Sequence, residues 1–310
     1  MIADICLSCS MSSEKIEDAA LLWEQRGIAA RDAKRYDEAA RYFRSGLMLA
    51  DRPISWLGLA LCLAHTGQHG EARECFEKAR ALAPHSGVIR HLADAAAGAN
   101  PARMPSAYIA WLYNTNAADF DNDMATLGYR GPEMLHQLIT RVWQPENKLA
   151  ILDLGCGTGF SGQPFKPYAA TMDGVDIAQR MLDQAARNGN YTRLFCSDAH
   201  VFLQQADQQY DGILAAEMLN YVGDVTEIFT LMATALRPGG QIFITIERDL
   251  TPTALGYRLA ASGRYQHDEK HIPVVAAQAG LMVADRVDEP LRVEAGELVP
   301  GTAYRLCHKA

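Results

Sequence analysis

The sequence predicts an α/β fold with a doubly wound sheet in the back half of the chain, and an all-α repeat module in front of it. Two observations carry this prediction. An amphipathic helical pattern in the first hundred residues recurs with a shift of 33 residues. After it, short apolar runs of strand length alternate with helical segments, and glycines or acidic residues follow several runs. A chain of 310 residues has room for two such domains.

The repeat lies in the segments RYDEAARYFRSGLMLADRP and QHGEARECFEKARALAP. Their alignment superposes three pairs, which are Ala39 with Ala72, Phe43 with Phe76 and Gly46 with Ala79. Each copy is typical of two helices that approach closely at small residues and enclose a large apolar one. The pattern resembles the tetratricopeptide repeat over residues 20–85, and HSGVIRHLADAAAGA after it resembles a capping helix.

Two repeats are few for a free-standing array, because each unit buries its apolar face only against a neighbour. We therefore expect the module either to bind a peptide or carrier protein in a groove, or to act as a buttress on the back half of the chain or on a second subunit. Prolines in NPARMPS interrupt the helical pattern and place a domain boundary near residue 100.

Composition excludes several classes of function. The formal charge of −8, with both signs interspersed, argues against nucleic-acid binding. No segment has membrane-spanning length, so we expect a soluble protein with no membrane partner. Seven scattered cysteines favour a reducing cytoplasm. Cys6 and Cys9 could form half of a zinc knuckle, but no second pair completes it, so no metal is predicted.

A glycine turn follows the first apolar run of the back half, in KLAILDLGCGTGF. Asp153, Gly155, Gly157 and Gly159 stand two residues apart. Glycines let backbone approach a ligand closely, and the following helix start offers free amides. Dinucleotide sites use G-x-G-x-x-G, whereas this turn is G-x-G-x-G after an acid. The spacing favours a nucleoside without phosphates and makes a nicotinamide dehydrogenase the least favoured enzyme.

Acidic residues end the next apolar runs. TMDGVDI ends in Asp176, placed to accept hydrogen bonds from a ribose diol, and RLFCSD ends in Asp198, which could accept from an adenine amino group. YDGILAAEMLNY leaves Glu217, Asn220 and Tyr221 beyond its end. Ligands of open α/β sheets bind outside the carboxyl ends of the strands, so these residues should converge on one crevice.

LRPGG then ends a helix and turns into the buried strand QIFITIE. The order LDLGCGTG, GVDI, SDA and LRPGG resembles class I S-adenosylmethionine-dependent methyltransferases over residues 130–310. The resemblance implies a Rossmann-like, mostly parallel seven-stranded sheet with one antiparallel strand, whose last hairpin is LMVADRVDE and TAYRLCHK. The implied organisation is a flexible tail at 1–16, repeats at 17–100, a helical cap at 101–145 and the cofactor-binding domain at 146–310.

The same resemblance implies the cofactor, S-adenosylmethionine, and the residues that bind it. Gly155 and Gly157 should line the methionine portion, and Asp153 should orient its amino-acid end. Asp176 should bind the ribose hydroxyls, and Asp198 the adenine. The full predicted set is Asp153, Gly155, Cys156, Gly157, Gly159, Asp176, Ile177, Met181, Asp198, Ala199, Glu217 and Arg130.

A narrower resemblance covers nearly the whole chain. DFDNDMATLGYRGPEML, AAEMLNYVGD, SGRYQHDEKHI and LRVEAGELVPGTAYRL are similar to bacterial predicted methyltransferases that carry tetratricopeptide repeats in front of the catalytic domain. Those relatives usually have an Asp and an aromatic residue ahead of the FD pair, where this chain has Asn114 and Asn116. The departures fall near the expected substrate entrance.

Methyl transfer from a sulfonium needs in-line approach and exclusion of water, so a strong acid or base is not obligatory. The predicted catalytic residues are Tyr113, Glu217, Tyr221, Tyr265 and His267, with Tyr108, Arg130, Glu247 and His271 as further candidates. Tyr113 could touch the cofactor carboxylate or be a core aromatic. Glu217 and Glu247 could bind a cationic amine or cap loops. Arg130 could bind a carboxylate of substrate or cofactor, or form a structural ion pair.

His267 and His271 stand four residues apart, a spacing that could hold a metal on one helical face. With Asp268 and Glu269 beside them, capping and solvation are favoured over metal binding.

The leading functional hypothesis is methyl transfer to an oxygen or nitrogen of a small-molecule or carrier-linked acceptor, in secondary or other metabolism. A second enzyme hypothesis breaks another sulfonium bond, by aminocarboxypropyl transfer or by cyclisation that releases methylthioadenosine. A third, of another class, is a non-catalytic module that senses the cofactor. The expected partners are a small-molecule substrate, a protein or carrier protein at the repeats, and a second copy in a homodimer. A nucleic-acid methyltransferase is disfavoured, because EMLN replaces the N/D-P-P-Y/F tetrad.

Overall fold

The computed structural model describes residues 13–206, 210–251, 253–260, 262–294 and 296–309. The chain divides into two compact units, Met1–Ala99 and Asn100–Ala310. Cys6, Cys9 and most of the predicted tail lie outside the described residues. The predicted end of that tail at residue 16 is wrong, since residues 13–16 form the first turn of a helix, where Glu14 suits the positive end of the helix dipole.

The first unit is a succession of helices: α1 (Ser13–Asp32), α2 (Tyr36–Leu47), α3 (Pro53–His65), α4 (His69–Leu82) and α5 (Gly87–Ala96). The pairs α1–α2 and α3–α4 are the two copies of the repeat. The positions aligned from the sequence are buried in both copies: Ala39, Phe43, Gly46, Ala72, Phe76 and Ala79. The final helix α5 begins at the N-cap Ser86, whose side chain accepts a hydrogen bond from the amide of Ile89.

Phe43 shows why the repeat needs small residues at fixed positions. Its ring is fully buried between α1 and α3. A Cβ atom added at Gly27 would lie 2.7 Å from the ring, and one added at Gly58 would lie 2.3 Å from it. The two glycines therefore create the space that Phe43 fills.

A charged cluster joins the same helices. Glu24 of α1 is buried, and its carboxylate accepts hydrogen bonds from Arg52 at 3.0 and 3.1 Å and from the Ser55 hydroxyl at 2.8 Å. This pairing compensates the desolvation of a buried carboxylate. It also fixes the start of α3 against α1.

The second unit begins with α6 (Ser106–Asn116), α7 (Phe120–Thr126) and α8 (Gly131–Ile139). Strands and helices then alternate as β1 (Leu149–Leu154), β2 (Ala169–Asp176), α9 (Gln179–Asn188), β3 (Arg193–Cys196), α10 (Ala199–Gln205), β4 (Tyr210–Ala215), α11 (Thr226–Ala235) and β5 (Leu236–Glu247). The last elements are β6 (Tyr257–Leu259), β7 (Tyr265–His267), α12 (His271–Gln278), β8 (Leu281–Glu294) and β9 (Glu297–His308).

Within the described part of the chain, a seven-stranded sheet runs in the order β3-β2-β1-β4-β5-β9-β8. The strands β3, β2, β1, β4 and β5 pair in parallel, and β9 is antiparallel to both of its neighbours. The predicted Rossmann-like sheet with one antiparallel strand is confirmed. The order reverses next to β1, so a crevice forms outside the carboxyl ends of β1 and β4.

Alternating residues of the strands face two apolar layers. Leu152, Ile213 and Ile244 pack with α10, α11 and α12 on one face. Ile151 and Phe243 pack with α8 and with the 3-10 turn at Gln163–Tyr168 on the other. Burial on both faces explains the nearly continuous apolar runs in the sequence.

Two local predictions need correction. The helix before LRPGG ends at Ala235, and LRPGG itself begins β5, because the proline disfavours a helical residue before it and lacks the amide that a helix would use. The two-stranded sheet of β6 and β7 was not predicted, since strands of three residues are too short to show an alternating pattern.

Replacement of Phe43 by Ala should destabilise the first unit by about 3–5 kcal/mol, because the cavity between two glycine-lined helices cannot collapse. Met48→Ala is the control, since Met48 is 86% exposed on the same repeat. Urea unfolding of the full chain, followed by helical circular dichroism, gives the comparison. Equal unfolding midpoints for the two variants would contradict the packing described here.

Candidate active site

One cavity of about 380 Å³ lies at the carboxyl ends of the parallel strands in the second unit. The glycine turn after β1 and the ends of β2 and β3 form one part of its wall. The segment after β4, the end of β8 and residues of α6 and α7 form the rest. The cavity therefore occupies the crevice that the strand order predicts, and its volume lies in the range of small-molecule sites.

The glycine turn is held open by its own backbone. Gly155 and Gly157 both have positive φ, at 70° and 54°, which a side chain would disfavour. A Cβ atom at Gly155 would lie 2.9 Å from Met218, whereas one at Gly157 would project into open space, 4.0 Å from Phe120. Glycine at position 157 thus keeps free a volume that a ligand can fill.

Asp176, the last residue of β2, fixes this turn. One carboxylate oxygen accepts a hydrogen bond from the amide of Gly157 at 2.9 Å, and the other accepts from the amide of Ala178 at 2.8 Å. Burial raises the pKa of Asp176, and the backbone amides oppose that rise. Each oxygen keeps a further lone pair with which it could accept from a diol.

Asp198 lies after β3 and caps α10. Its carboxylate accepts hydrogen bonds from the amide of His200 at 2.9 Å and from the Ser106 hydroxyl at 2.7 Å. The imidazole of His200, with its Nδ1 3.7 Å away, and then Ser106 hold the pKa of Asp198 well below its usual range. The group is a permanent acceptor on the wall of the cavity. Ile177, Cys156 and Ala199, from the predicted cofactor set, line the same wall.

Three other members of that set do not line the cavity. Asp153 is buried on the face of β1 that also carries Ile151, and it accepts a hydrogen bond from the Tyr191 hydroxyl at 2.7 Å. Gly159 packs against the Tyr191 ring, 2.9 Å from its would-be Cβ, and Met181 is buried under α9. The contact of Asp153 with the amino-acid end of a cofactor therefore stays a prediction that the cavity lining does not support. Burial raises the pKa of Asp153 to about 7.

Arg130 is a fourth member of the predicted cofactor set that does not line the cavity. Its guanidinium is half exposed and lies 2.7 Å from a carboxylate oxygen of Glu289 on β8, and it is not part of the cavity wall. The structural ion pair is the alternative that the geometry supports. Arg130 directly precedes α8, and its guanidinium connects the start of that helix to β8.

Glu217 occupies the end of β4 in a strained conformation. Its φ of 56° costs about 1–3 kcal/mol for a residue with a side chain. The Thr245 hydroxyl accepts a hydrogen bond from its amide at 2.8 Å. Its carboxylate accepts from the Asn220 amide group at 2.8 Å and from Arg292 at 2.7 Å. Burial raises the pKa of Glu217, Arg292 lowers it, and neighbouring Glu247 adds to the rise.

Glu217 belongs to a group that we call the charged wall: Glu217, Glu247, Arg264, Arg292 and Glu294. Arg292 is buried and donates to all three carboxylates, at 2.7 Å to Glu217 and 3.2 Å to Glu294. Arg264 donates to Glu247 at 2.8 Å and to Glu294. Three carboxylates share two guanidinium groups here, so the charged wall has a net charge of −1 when all are ionised.

Both arginines and Glu294 line the cavity but were not predicted to do so from the sequence. The sequence does indicate that two of them lie together, because Arg292 and Glu294 are two residues apart on a strand and therefore share a face. Nothing local indicates Arg264, which reaches Glu247 from a turn that leads into β7.

Two tyrosine hydroxyls meet inside the cavity. The hydroxyls of Tyr113 on α6 and Tyr221 after β4 share a short hydrogen bond. Burial raises the pKa of both, to about 12 for Tyr221. The Tyr113 ring also meets those of Tyr221 and Phe120 nearly at right angles, with centroids 5.6 and 5.9 Å away. Tyr108 lies on the same helix but stacks on Trp111 and does not line the cavity.

Tyr265 and His267 are fully buried in β7 and do not line the cavity, so their predicted catalytic roles are not supported. His267 Nε2 lies 3.2 Å from the carbonyl of Leu219, and burial lowers the pKa of His267 to about 4. The favoured reading of His267 as a solvated cap is wrong, because neighbouring elements cover it. His267 ends a strand and His271 begins α12, so they do not share a helical face. Across the described ranges, no group of three His, Cys, Asp or Glu side chains could hold a metal.

Comparison with known proteins adds to this geometry. Residues 151–240 match the family described as the methyltransferase domain, and residues 53–86 match the tetratricopeptide repeat. Residues 151–240 form a methyltransferase domain. The match begins in β1 and includes the glycine turn, Asp176, Asp198 and Glu217. It thereby places most of the strand ends that surround the cavity within the methyltransferase domain, which is of the kind that uses S-adenosylmethionine.

Curated relatives share part of the chain. The ubiquinone biosynthesis O-methyltransferase of Sinorhizobium medicae is 31% identical over 160 residues, which are 46% of this chain and 64% of the relative. The human methyltransferase-like protein 27 is 32% identical over 137 residues, 43% of this chain and 56% of the relative. The chain thus spans somewhat less than two thirds of the length of each.

Solved structures share the fold of the methyltransferase domain. The magnesium protoporphyrin IX methyltransferase of Synechocystis PCC 6803 with bound S-adenosylhomocysteine has a TM-score of 0.52 at 15% identity, covering 66% of this chain and 99% of that one. The [4+2]-cyclase SpnF has a TM-score of 0.53 at 17% identity, covering 66% and 97%. No helix among the described residues is long and apolar enough to cross a membrane.

Replacement of Asp153 by Asn should make folding stability less dependent on pH. Because the carboxyl has a raised pKa in the folded state, the folded protein binds its proton more tightly than the unfolded chain does. Wild-type stability should therefore fall as pH rises from about 4 through about 7, and the variant should lose this slope. Asp285→Asn is the control, since Arg141 keeps the pKa of Asp285 low and the group stays ionised above pH 5. Equal slopes in denaturant titrations of wild type and Asp153→Asn would disprove the assignment.

Replacement of Arg292 by Met should destabilise the second unit by about 3–5 kcal/mol, because it leaves buried carboxylates without their counter-charge. Arg141→Met removes an ion pair with Asp285 on the surface and should cost less than about 1 kcal/mol. Chemical unfolding of both variants measures the difference. A cost for Arg292→Met no larger than that of its control would show that the charged wall is not a coupled unit.

Proposed function

We propose that this protein transfers the methyl group of S-adenosylmethionine to an oxygen or nitrogen of a small-molecule acceptor. The observation that carries the proposal is the cavity at the strand ends of the methyltransferase domain, with a glycine turn on one side and the charged wall on the other. A donor and an acceptor could lie side by side in it, which is the arrangement that in-line transfer needs.

The residues of the glycine turn fit this cofactor. The space above Gly157 would admit its methionine portion, and the lone pairs of Asp176 would accept from its ribose hydroxyls. The adenine would lie beside Asp198 and the backbone of Ala199. When bound, S-adenosylmethionine supplies an electrophilic methyl group on a sulfonium sulfur.

The protein's own residues would act on the acceptor. Tyr113 and Tyr221 line the cavity and would orient the acceptor through their hydroxyls. Glu217 is the carboxylate best placed to hold or accept its proton, since burial raises the pKa of that group toward neutrality. Leu112, Phe120 and Leu127 would exclude water from the reacting atoms.

The identity of the transferred group stays part of the proposal. The solved cyclase with the same fold shows that this sheet accommodates chemistry other than methyl transfer. Cleavage of another sulfonium bond would release methylthioadenosine in place of S-adenosylhomocysteine, so the nucleoside product separates the two reactions. The repeats are proposed to bind a protein or carrier-protein partner, and homodimerisation and a cytoplasmic location remain predictions.

Calorimetric titration should detect micromolar binding of S-adenosylmethionine and S-adenosylhomocysteine, and Asp176→Ala should lower both affinities at least tenfold. The variant loses the ribose acceptor and also the hydrogen bond that fixes the glycine turn. Asp211→Ala is the control, since it removes an ion pair with Arg237 and a hydrogen bond from the Ala150 amide, at the end of β1 away from the cavity. Mass analysis after incubation with candidate acceptors identifies the nucleoside released. Absence of binding by the wild-type protein would refute the proposed function.

A further inference from the structure

We propose that the acceptor is a cationic amine with an apolar body, and that its ammonium group binds between the charged wall and the tyrosines. This inference rests on the proposed function and specifies its substrate class. Three features of the cavity support it: its charge, the arrangement of its aromatic rings, and a buried tyrosine hydroxyl in its wall.

The charge of the cavity favours a cation. Among the described residues, five carboxylates and two guanidinium groups line it. Asp176 and Asp198 belong to the wall proposed for the cofactor, whose own net charge is +1. The carboxylates that remain around the acceptor are Asp123, Glu217 and Glu294. They exceed the two arginines by one negative charge, and buried Glu247 lies behind them. An anionic acceptor would add to an existing excess of negative charge in a site of low dielectric.

The aromatic rings of the cavity also favour a cationic acceptor. Tyr113 stands at 85° to Tyr221 and at 68° to Phe120, and all three rings line the cavity. Walls that meet at such angles present both ring faces and polarised edges to a small group, and cations are attracted to the faces. Tyr113 also lies within electrostatic reach of Glu217. An alkylammonium could therefore contact an aromatic wall and a carboxylate together.

Tyr129 supplies the third feature. Its side chain is 7% exposed and lines the cavity, and its buried hydroxyl lies beside the side chains of Ser161 and Thr245. The oxygen of Tyr129 can accept a hydrogen bond from an ammonium N–H. The apolar body would then lie against Met124, Leu127 and Phe160.

The proposed methylation of the amine conserves atoms and charge. The bound ammonium, R–NH₃⁺, gives one proton to the Glu217 carboxylate and becomes R–NH₂. The nitrogen lone pair then forms a bond to the methyl carbon, and the carbon–sulfur bond breaks with its electron pair remaining on sulfur. The products are R–NH₂CH₃⁺, S-adenosylhomocysteine and protonated Glu217, which returns its proton to water after product release.

The test uses three probes with the same apolar body: 2-phenylethylamine, 2-phenylethanol and phenylacetate. Calorimetry of the full-length protein saturated with S-adenosylhomocysteine should show that the amine binds at least tenfold more tightly than the other two. With S-adenosylmethionine, mass spectrometry should find N-methylated amine. Tighter binding of the alcohol or the acid, or no binding of the amine, would overturn the inference.

Substitutions of cavity residues test whether the preference for the amine arises in this cavity. Glu217→Gln and, separately, Glu294→Gln should lower amine affinity about tenfold or more while leaving 2-phenylethanol affinity unchanged, and Tyr129→Phe should lower it severalfold. Glu269→Gln, outside the cavity in an ion pair with Arg248, is the matched control. Amine binding that is indifferent to both cavity glutamates would overturn the inference. Binding of S-adenosylhomocysteine itself is the separate readout: if it fails, the proposed function fails too, whereas if it holds, only the amine assignment is in question.

Discussion

The carboxylate of Asp176 is the contact on which the cofactor half of the site depends. It ends β2, accepts the amide of Gly157 from the turn after β1, and accepts the amide of Ala178 just before α9. Two neighbouring strands and a helix are thereby fixed to one side chain. The left-handed conformations of Gly155 and Gly157 are maintained by this anchor and by the bond from the Gly155 amide to the carbonyl of Val175 at 2.8 Å.

The other side of the cavity is held together by ion pairs between side chains and not by backbone hydrogen bonds. Arg292 is surrounded by carboxylates from three segments, and Glu217 is held in a conformation that a free strand end would not adopt. The energy that maintains this strain comes from the buried ion pairs and from the Thr245 hydroxyl. Such arrangements are typical of functional sites, where geometry is preserved at the expense of stability.

The fold could be predicted from the sequence, as could the residues that gather at the strand ends, because both depend on local patterns. The apolar runs mark β1 to β5, and glycines and acids at their ends mark the crevice. The sequence places Asp153 beside the glycine turn but does not show that Tyr191 covers it, because Tyr191 is 38 positions away and contacts Asp153 only in the folded sheet. The charged wall could not be predicted in this way, since Glu217 and Arg292 are 75 positions apart and meet only after the sheet closes.

Arg292 and Glu294 lie near the end of β8, so the two sides of the cavity come from distant parts of the sequence. The turn that would hold the donor and the strand that would select the acceptor are more than a hundred residues apart, and β8 is the outermost strand of the sheet. Buried Arg292 is fixed there by its ion pairs with interior segments, whereas Glu294 is 38% exposed at the edge of the sheet. A substitution at Glu294 can therefore change the charge that meets the acceptor without repacking the interior strands or altering the glycine turn.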